Sequence, residues 1–175
     1  MILLAESANR TKKGGQELIG GLDVRVNRNH FGRQTESFQA QLDLPFLDAT
    51  QQGPFPAVFI RAPVVERILP NHDGAQGTEN STEETVVAPS APVKDNTARD
   101  ELSHQVEVLA SLPGRAAKLV EEAKDISADR DTGDIVVVQQ GNVFGTSFHP
   151  ELTGDARIHA WWLRQVEASL KKIDQ

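Results

Sequence analysis

The chain of 175 residues contains no cysteine. This absence excludes disulfide bonds, thiolate metal ligands and a cysteine nucleophile within these residues, although it does not identify a cellular compartment. Long apolar runs are also lacking, because no stretch approaches the roughly 18 consecutive apolar residues that a membrane helix needs. The first residues place their apolar run before their basic residues and offer no small-residue cleavage site, unlike a secretory signal. The sequence therefore predicts a soluble, cytoplasmic protein that does not bind membranes.

Excess positive charge is missing as well. The formal net charge is -7 at pH 7, so no basic stripe is available to neutralise the phosphates of a nucleic acid. With 38% hydrophobic and 25% charged residues the composition is that of a globular protein. The length fits one domain with a sizeable core. Residues 70–103 are acidic and poor in large apolar side chains, which indicates a disordered insertion within that domain.

Apolar periodicity predicts several secondary-structure elements. Alternating or short continuous apolar runs predict strands at 22–26, 37–44, 57–60, 106–109, 135–138 and 143–148. The Gly141-Asn142 pair predicts a hairpin turn between the last two strands. Helix-forming residues predict helices at 1–6, 115–124 and 155–173. In the last helix, apolar residues recur at helical spacing, and Trp161 and Trp162 are expected to place one ring in the core and the other at an edge.

The stretch TSFHPELT, at 146–153, places a histidine and a glutamate on either side of a proline. Pro150 biases His149 toward an extended conformation at the end of the predicted strand. Glu151 can then hydrogen-bond one imidazole nitrogen and leave the other free to take a proton from a nucleophile. A partly exposed histidine beside a helix-start glutamate is the alternative, and the spacing by itself favours that alternative.

Other reaction types find less support around His149. His149, Glu151, Asp155 and His159 lie near one another in sequence, but they match no familiar metal-ligand spacing, and the zinc deaminase pattern needs cysteines. A serine nucleophile is not favoured either, because no G-x-S-x-G turn occurs and Ser147 lies on the same strand as His149. The sequence predicts neither a metal site nor a cofactor.

Three arginines form a second candidate site. Arg28, Arg33 and Arg61 each fall in a polar loop or at the end of a predicted strand. A guanidinium group is suited to holding a substrate carboxylate through two parallel hydrogen bonds. Surface arginines that pair with the abundant acidic residues are the alternative, and the residues alone favour it.

Three long stretches narrow these alternatives: GGLDVRVNRNHFGRQTESF at 20–38, PFPAVFIRAP at 54–63 and GNVFGTSFHPELTGDARIHAWWL at 141–163. In this order they closely resemble the glutaminase subunit of pyridoxal 5'-phosphate synthase, a class I glutamine amidotransferase. The resemblance covers residues 1 to about 68 and about 106 to 168. Residues 70–103 and 113–134 look like insertions of a kind associated with fungal members.

The resemblance implies the C-terminal part of a class I glutamine amidotransferase fold, a flavodoxin-like three-layer α/β/α arrangement. Residues 1–175 would form one incomplete domain whose first strands are missing. In the family a Cys-His-Glu triad hydrolyses L-glutamine, and the ammonia passes to the synthase subunit, the expected partner, for vitamin B6 synthesis. By position His149 would be the general base and Glu151 its orienter. Arg28, Ile60 and Arg61 would contact the substrate glutamine.

The family's nucleophile stands in a turn that would fall just before Met1, so a truncated product or gene model is expected. A chain without that cysteine and its oxyanion-binding loop should not hydrolyse glutamine alone. Missing strands should also make it marginally stable or prone to aggregation. Two alternatives remain: a catalytically dead relative that binds and regulates the synthase complex, and an independent hydrolase that uses a serine or a metal.

Overall fold

The computed structural model divides the chain into two compact units. The first unit comprises Met1–Glu36 and Arg61–Ser147, and the second comprises Ser37–Ile60 and Phe148–Gln175. The residues that the structure describes are 1–10, 17–28, 37–47, 53–70, 80–89, 100, 104–112 and 134–173. The expectation of one incomplete domain stays a prediction. The predicted helix at 115–124 and the variable insertion at 113–134 lie outside the described residues, apart from Asp134.

Nine strands and one α-helix make up the regular structure of the described residues. The strands are β1 Ala5–Asn9, β2 Leu22–Asn27, β3 Ser37–Leu42, β4 Phe55–Ile60, β5 Val64–Ile68, β6 Thr85–Val87, β7 Glu107–Leu112, β8 Asp134–Gln140 and β9 Val143–Thr146. The α-helix, α1, spans Arg157–Ile173, and 3-10 turns lie at Ile2–Leu4 and Pro150–Leu152. A mixed sheet together with a helix confirms the predicted α/β class. The three-layer arrangement stays a prediction.

The first unit is built on a seven-stranded sheet with the order β6-β1-β2-β5-β8-β7, in which β9 also pairs with β8. The β1–β2 pair is parallel and the other pairs are antiparallel. Strand β8 pairs with β7 along most of its length, with β9 from Val137 to Gln140, and with β5 at Ile135. Strand β8 therefore pairs with three other strands, most extensively with β7 and β9.

Strand β8 is buried on both of its faces. Its residues 135–138 read Ile-Val-Val-Val, and all four side chains are at most 3% exposed. A strand that is covered on both faces loses the usual alternation and becomes a continuous run of β-branched residues. Strand β2 keeps the alternation of apolar and polar residues, with Leu22, Val24 and Val26 fully buried and Arg25 only partly buried, although Asp23 is buried as well.

A buried side-chain pair connects the end of β8 to the start of β2. Gln140 Nε2 donates to Asp23 Oδ2 over 2.7 Å, and the Asp23 backbone N–H donates to Gln140 Oε1 over 2.7 Å. Gln140 is 1% exposed and Asp23 is 8% exposed. A buried carboxylate is costly unless hydrogen bonds compensate its lost hydration. The Gln140 amide supplies one such bond and fixes the two strands together.

The second unit places β3 and β4 side by side as an antiparallel pair, from Ser37 opposite Ile60 to Leu42 opposite Phe55. Aromatic rings fill its core. Phe38 and Phe59 stack with their centroids 4.6 Å apart, and the Phe148 ring meets Phe59 edge-on at 5.6 Å. Such offset and edge-to-face contacts add to the stabilisation that each ring gains from burial.

An arginine and an aspartate fix the start of α1. The Asp155 carboxylate accepts hydrogen bonds from the Arg157 backbone N–H and guanidinium, and the bond to that guanidinium lowers the Asp155 pKa. Arg157 also donates to the carbonyl oxygens of Gly53 and Pro54 over 2.9 and 3.1 Å. Its guanidinium lies 5.6 Å from the centre of the Phe55 ring. The helix start is thereby attached to the beginning of β4.

Helix α1 buries only its first turns. Ile158 is 3% and Trp161 is 8% exposed. Trp162 is partly buried, so the expected division between a core ring and an edge ring is confirmed. Val166 and Leu170 continue the apolar spacing but are 40% and 57% exposed. Periodicity thus located the helix correctly without showing how far its packing extends.

Three parts of the structure differ from the sequence-based predictions. The helix predicted at 1–6 is wrong, because a 3-10 turn at Ile2–Leu4 leads directly into β1. Pairing with β2 and β6 on its two edges outweighs the helical propensity of these residues. Strand β5 has no counterpart among the predicted strands. Strand β6 lies within the segment predicted to be disordered, and its three residues gain order by pairing with β1. The other predicted strands, the hairpin and the last helix are confirmed at the described positions.

No helix among the described residues combines the length and the apolar character that crossing a membrane requires.

We predict that Gln140→Met lowers the free energy of unfolding by about 2 kcal/mol, because hydrogen bonds to a charged group contribute about that much. Methionine keeps the length of the side chain and removes the amide, so Asp23 remains buried without this partner. Chemical denaturation of the purified chain measures the change. The matched control is Gln105→Met at an exposed position, and an equal loss in both variants would contradict the role given to Gln140.

Candidate active site

His149 is held in place by its backbone and by the residue before it. Its N–H donates to the Val58 carbonyl oxygen of β4 over 2.8 Å. Phe148, which precedes it, is 3% exposed and packs on Phe55 and Phe59. The backbone of His149 is extended, with φ -103° and ψ 90°, as expected for a residue before proline. The imidazole therefore projects from a fixed point on the second unit.

The structure brings His149 and Glu151 together. His149 Nδ1 lies 2.8 Å from Glu151 Oε1, and the two side chains are 41% and 58% exposed. The hydrogen bond from His149 lowers the pKa of the Glu151 carboxyl below its ordinary value of 4.5. An ionised Glu151 is an acceptor, so Nδ1 carries the proton and Nε2 of the neutral ring has a free lone pair. That arrangement suits a general base whose orientation is set by a carboxylate.

Ile60 and Arg61 occupy the end of β4 and the residue after it. Ile60 is 41% exposed although it is apolar. Arg61 has a φ of 47°, the one positive value of a non-glycine residue among those that the structure describes. Left-handed backbone is unfavourable for a residue with a Cβ, and such strain is concentrated at functional sites. The backbone at Arg61 is thus held in a conformation that its residue type does not favour.

Arg28 directly follows β2 and is 8% exposed. Its backbone N–H donates to Asn9 Oδ1 over 2.7 Å. Burial lowers the pKa of its guanidinium, and the positive charge of Arg10 lowers it further. The third predicted arginine, Arg33, lies outside the described residues.

The predicted residues fall in both units. His149, Glu151 and Ile60 belong to the second unit, and Arg28 and Arg61 belong to the first. The hydrogen bond between His149 and Glu151 joins two of them directly. The roles of all five in binding and catalysis stay predictions.

The structure adds no support for a serine nucleophile or for a metal site in this region. Ser147 is 4% exposed, and its hydroxyl lies within hydrogen-bonding distance, 3.3 Å, of Met1 Sδ. Within the described part of the chain, no three histidine, aspartate or glutamate side chains cluster as metal ligands do.

Two groups near the predicted residues were not identified from the sequence. The Val58 carbonyl oxygen positions His149 through a main-chain hydrogen bond, which no pattern of side chains in the sequence can predict. Arg10 affects the pKa of Arg28, and its signal was available: the dipeptide Asn-Arg occurs at 9–10 and again at 27–28. The asparagine of each dipeptide is the last residue of a strand, Asn9 of β1 and Asn27 of β2, and these two strands pair with each other.

Comparison with known proteins points to one family. The sequence profile of the SNO glutamine amidotransferase family matches residues 1–97 and 113–168. The chain is 34% identical, over 100% of its own length and 56% of the relative's, to a probable pyridoxal 5'-phosphate synthase subunit PDX2 from Arabidopsis thaliana. It is 37% identical, over 97% of its length and 52% of the relative's, to the pyridoxal 5'-phosphate synthase subunit PdxT of Nocardia farcinica. The chain thus spans about half the length of these curated relatives.

A solved structure supports the same fold. The crystal structure of a glutamine amidotransferase superposes with a TM-score of 0.53 at 31% sequence identity. The match covers 93% of this chain and 55% of that one. The likeness therefore extends over nearly the whole chain.

We predict that His149→Ala raises the pKa of the Glu151 carboxyl toward its ordinary value, because the hydrogen bond from His149 is the largest cause of the lowering. Carboxyl carbon chemical shifts, followed by NMR across a pH titration, measure it. The pair stabilises the fold above about pH 4.5, where the unfolded glutamate is ionised, and this contribution is lost as pH falls through the lower folded pKa.

Asp155 is the internal control, because its pKa is lowered by Arg157 and should stay the same in His149→Ala. A Glu151 titration that is identical in the wild type and in His149→Ala would show that the pair is not formed in solution.

Proposed function

Since this chain belongs to the SNO glutamine amidotransferase family, we propose that it is part of a glutaminase subunit that hydrolyses L-glutamine to glutamate and ammonia. The observation that carries the proposal is the hydrogen bond of 2.8 Å between His149 Nδ1 and Glu151 Oε1. It supplies a base whose free nitrogen faces away from the carboxylate, which is the part of such an enzyme that these residues can provide.

In the proposed reaction His149 Nε2 takes the proton of a cysteine thiol, and the thiolate attacks the side-chain amide carbon of glutamine. Collapse of the tetrahedral intermediate breaks the C–N bond, and the imidazolium returns the proton to the leaving ammonia. Water then hydrolyses the thioester with His149 again as the base. Glu151 holds the ring and stabilises the imidazolium. Arg28, Ile60 and Arg61 contact the glutamine substrate.

The thiol in this scheme comes from outside these 175 residues. The chain contains no cysteine, and it spans about half the length of the relatives that it matches. We therefore propose that the nucleophile lies on further polypeptide, and that the 175 residues do not hydrolyse glutamine by themselves.

The partner follows from the names of the relatives, which are subunits of pyridoxal 5'-phosphate synthase. We propose that the ammonia released here passes to a synthase subunit in a hetero-oligomeric complex and is used there to form pyridoxal 5'-phosphate. The cytoplasmic location expected from the sequence stays a prediction.

A second candidate function is a catalytically dead relative that binds the synthase complex and regulates it. The absence of cysteine from the chain favours it. This candidate differs from the glutaminase subunit in one respect that is easily measured. The polypeptide present in cells would contain no cysteine nucleophile.

The first test is the mass of the endogenous protein that carries the peptide TSFHPEL. We expect an intact mass several kilodaltons above 19.1 kDa, together with a cysteine-containing peptide from the same polypeptide. A mass of 19.1 kDa would show that the endogenous polypeptide has no cysteine nucleophile and would favour the regulatory function.

The second test is ammonia release from L-glutamine. The 175-residue chain should release none above the blank, and the endogenous polypeptide should be active. In the latter, His149→Ala should lower kcat/KM by about 100-fold or more, since general-base catalysis contributes at least that factor. His104→Ala, at an exposed histidine of the first unit, is the matched control. Glutaminase activity in the isolated chain would refute the proposal that the nucleophile lies elsewhere.

A further inference from the structure

Helix α1 carries three large apolar side chains that are exposed in the described part of the chain. Leu163, Val166 and Leu170 are 63%, 40% and 57% exposed. They are spaced three and four residues apart, so they form one continuous row along the helix. We call these three residues the apolar row. Single apolar residues are ordinary on a protein surface, whereas a continuous row is typical of a surface that contacts another element.

The charged residues of α1 lie on a different face. Arg164, Glu167 and Lys171 are exposed and follow their own spacing of three and four residues. Glu167 comes four residues before Lys171, and this order favours attraction between the two side chains on a helix surface in water. Helix α1 therefore has a face that is suited to solvent, and that face does not include the apolar row.

The apolar arc of α1 is wider than one packing surface requires. Ile158 and Trp161 are buried, and Trp161 meets the Phe46 ring edge-on with the centroids 4.8 Å apart. At about 100° per residue, the arc from Trp161 through Ile158 to Leu163 covers about 200°. A helix that packs on one side has an apolar arc of about half that width. The excess width predicts a second element that packs on the apolar row.

Helix α1 begins close to the pair of His149 and Glu151. Thr153 closes the turn after Glu151, since its hydroxyl and its N–H donate to the Pro150 carbonyl oxygen over 3.0 and 3.3 Å. The hydrogen bond from His149 and, to a smaller extent, the positive charge of His159 lower the Glu151 pKa, so the first turn of α1 lies near this pair. A segment that binds the apolar row, one turn further along the helix, is therefore held in the vicinity of His149.

We infer that the apolar row of α1 is the surface on which further polypeptide of the same protein docks through an apolar face of its own, and that this polypeptide carries the nucleophile. The inference rests on the proposed function in one respect, which is the location of the nucleophile outside these 175 residues. The length of similar proteins supports this occupant. The match covers 56% and 52% of two curated relatives and 55% of the solved glutamine amidotransferase, so each of them has a large part of its length outside the match.

The first experiment identifies what covers the apolar row. The endogenous polypeptide is produced with the photoreactive residue p-benzoylphenylalanine in place of Leu163, illuminated, digested and analysed by mass spectrometry. We expect a cross-link within one polypeptide, from position 163 to a peptide that is not part of the 175 residues. The matched control has the same photoreactive residue in place of Ala168, which is also exposed but lies outside the apolar row, and it should not form this cross-link.

The second experiment measures what the contact contributes to stability. In the endogenous polypeptide, Leu163→Lys and Leu170→Lys should each lower the urea midpoint of unfolding by about 1 M, because a packed apolar contact would have to accept a charge without a partner. Ala168→Lys adds the same charge on the other side of the helix and should leave the midpoint unchanged. The cross-link still tests the inference if a lysine variant does not fold.

Three results would overturn the inference. The first is a cross-link from position 163 that joins two copies of the polypeptide, because a second copy would then cover the row. The second is an equal urea midpoint in Leu163→Lys, Leu170→Lys and Ala168→Lys. The third is an endogenous polypeptide that is no longer than this chain.

Failure of the inference and failure of the proposed function give different results. Ammonia release that depends on His149, without the expected cross-link, would overturn the docking surface and leave the proposed function intact. The expected cross-link together with ammonia release that does not depend on His149 would support the docking surface and overturn the role proposed for His149.

Discussion

Burial of strand β8 on both faces is the constraint on which the first unit depends. Four consecutive β-branched side chains, from Ile135 to Val138, are almost completely removed from water. At about 25 cal/mol per Å² of apolar surface, burial of this kind is the main favourable term available to a sheet of this size. Strands β5, β7 and β9 attach to β8 by main-chain hydrogen bonds, and Gln140 at its end reaches Asp23 of β2. The sheet is therefore organised around one strand that comes late in the sequence.

The second unit holds the imidazole of His149 in a fixed position at its surface. Phe148, the residue before His149, packs on Phe59, the Val58 carbonyl oxygen accepts the His149 backbone N–H, and Glu151 accepts from its ring. The bonds from Arg157 to Asp155 and to the carbonyls before β4 hold the helix start. A base that is fixed by backbone and packing needs little reorganisation when a proton moves. The unit therefore holds His149 in a way that suits the role of base proposed for it.

Much of this fold could be predicted from the sequence where the pattern is local. The alternation in Leu22–Asn27, the apolar run of β8, the Gly141-Asn142 turn and the periodicity of α1 each report a structure that the nearby residues determine. Strands β1 and β6 could not be predicted in this way. Ala5–Asn9 has helix-forming residues beside it, and Thr85–Val87 is too short to carry a pattern, so both depend on pairing with strands distant in sequence.

The candidate site divides in the same manner. His149 and Glu151 are two residues apart, so a contact between them could be expected from the sequence as one of two alternatives, and the structure shows that contact. The proximity of Arg10 to Arg28 depends on the register of two strands whose pairing no local signal gives. Residues brought together by sheet register are visible in a sequence only as an unexplained repetition, here the two Asn-Arg dipeptides.

The left-handed backbone at Arg61 bears on how this position can change over evolutionary time. Glycine adopts a φ of 47° at no steric cost, whereas arginine is strained there. A chain released from any demand on that side chain would gain stability by replacing it with glycine, asparagine or aspartate.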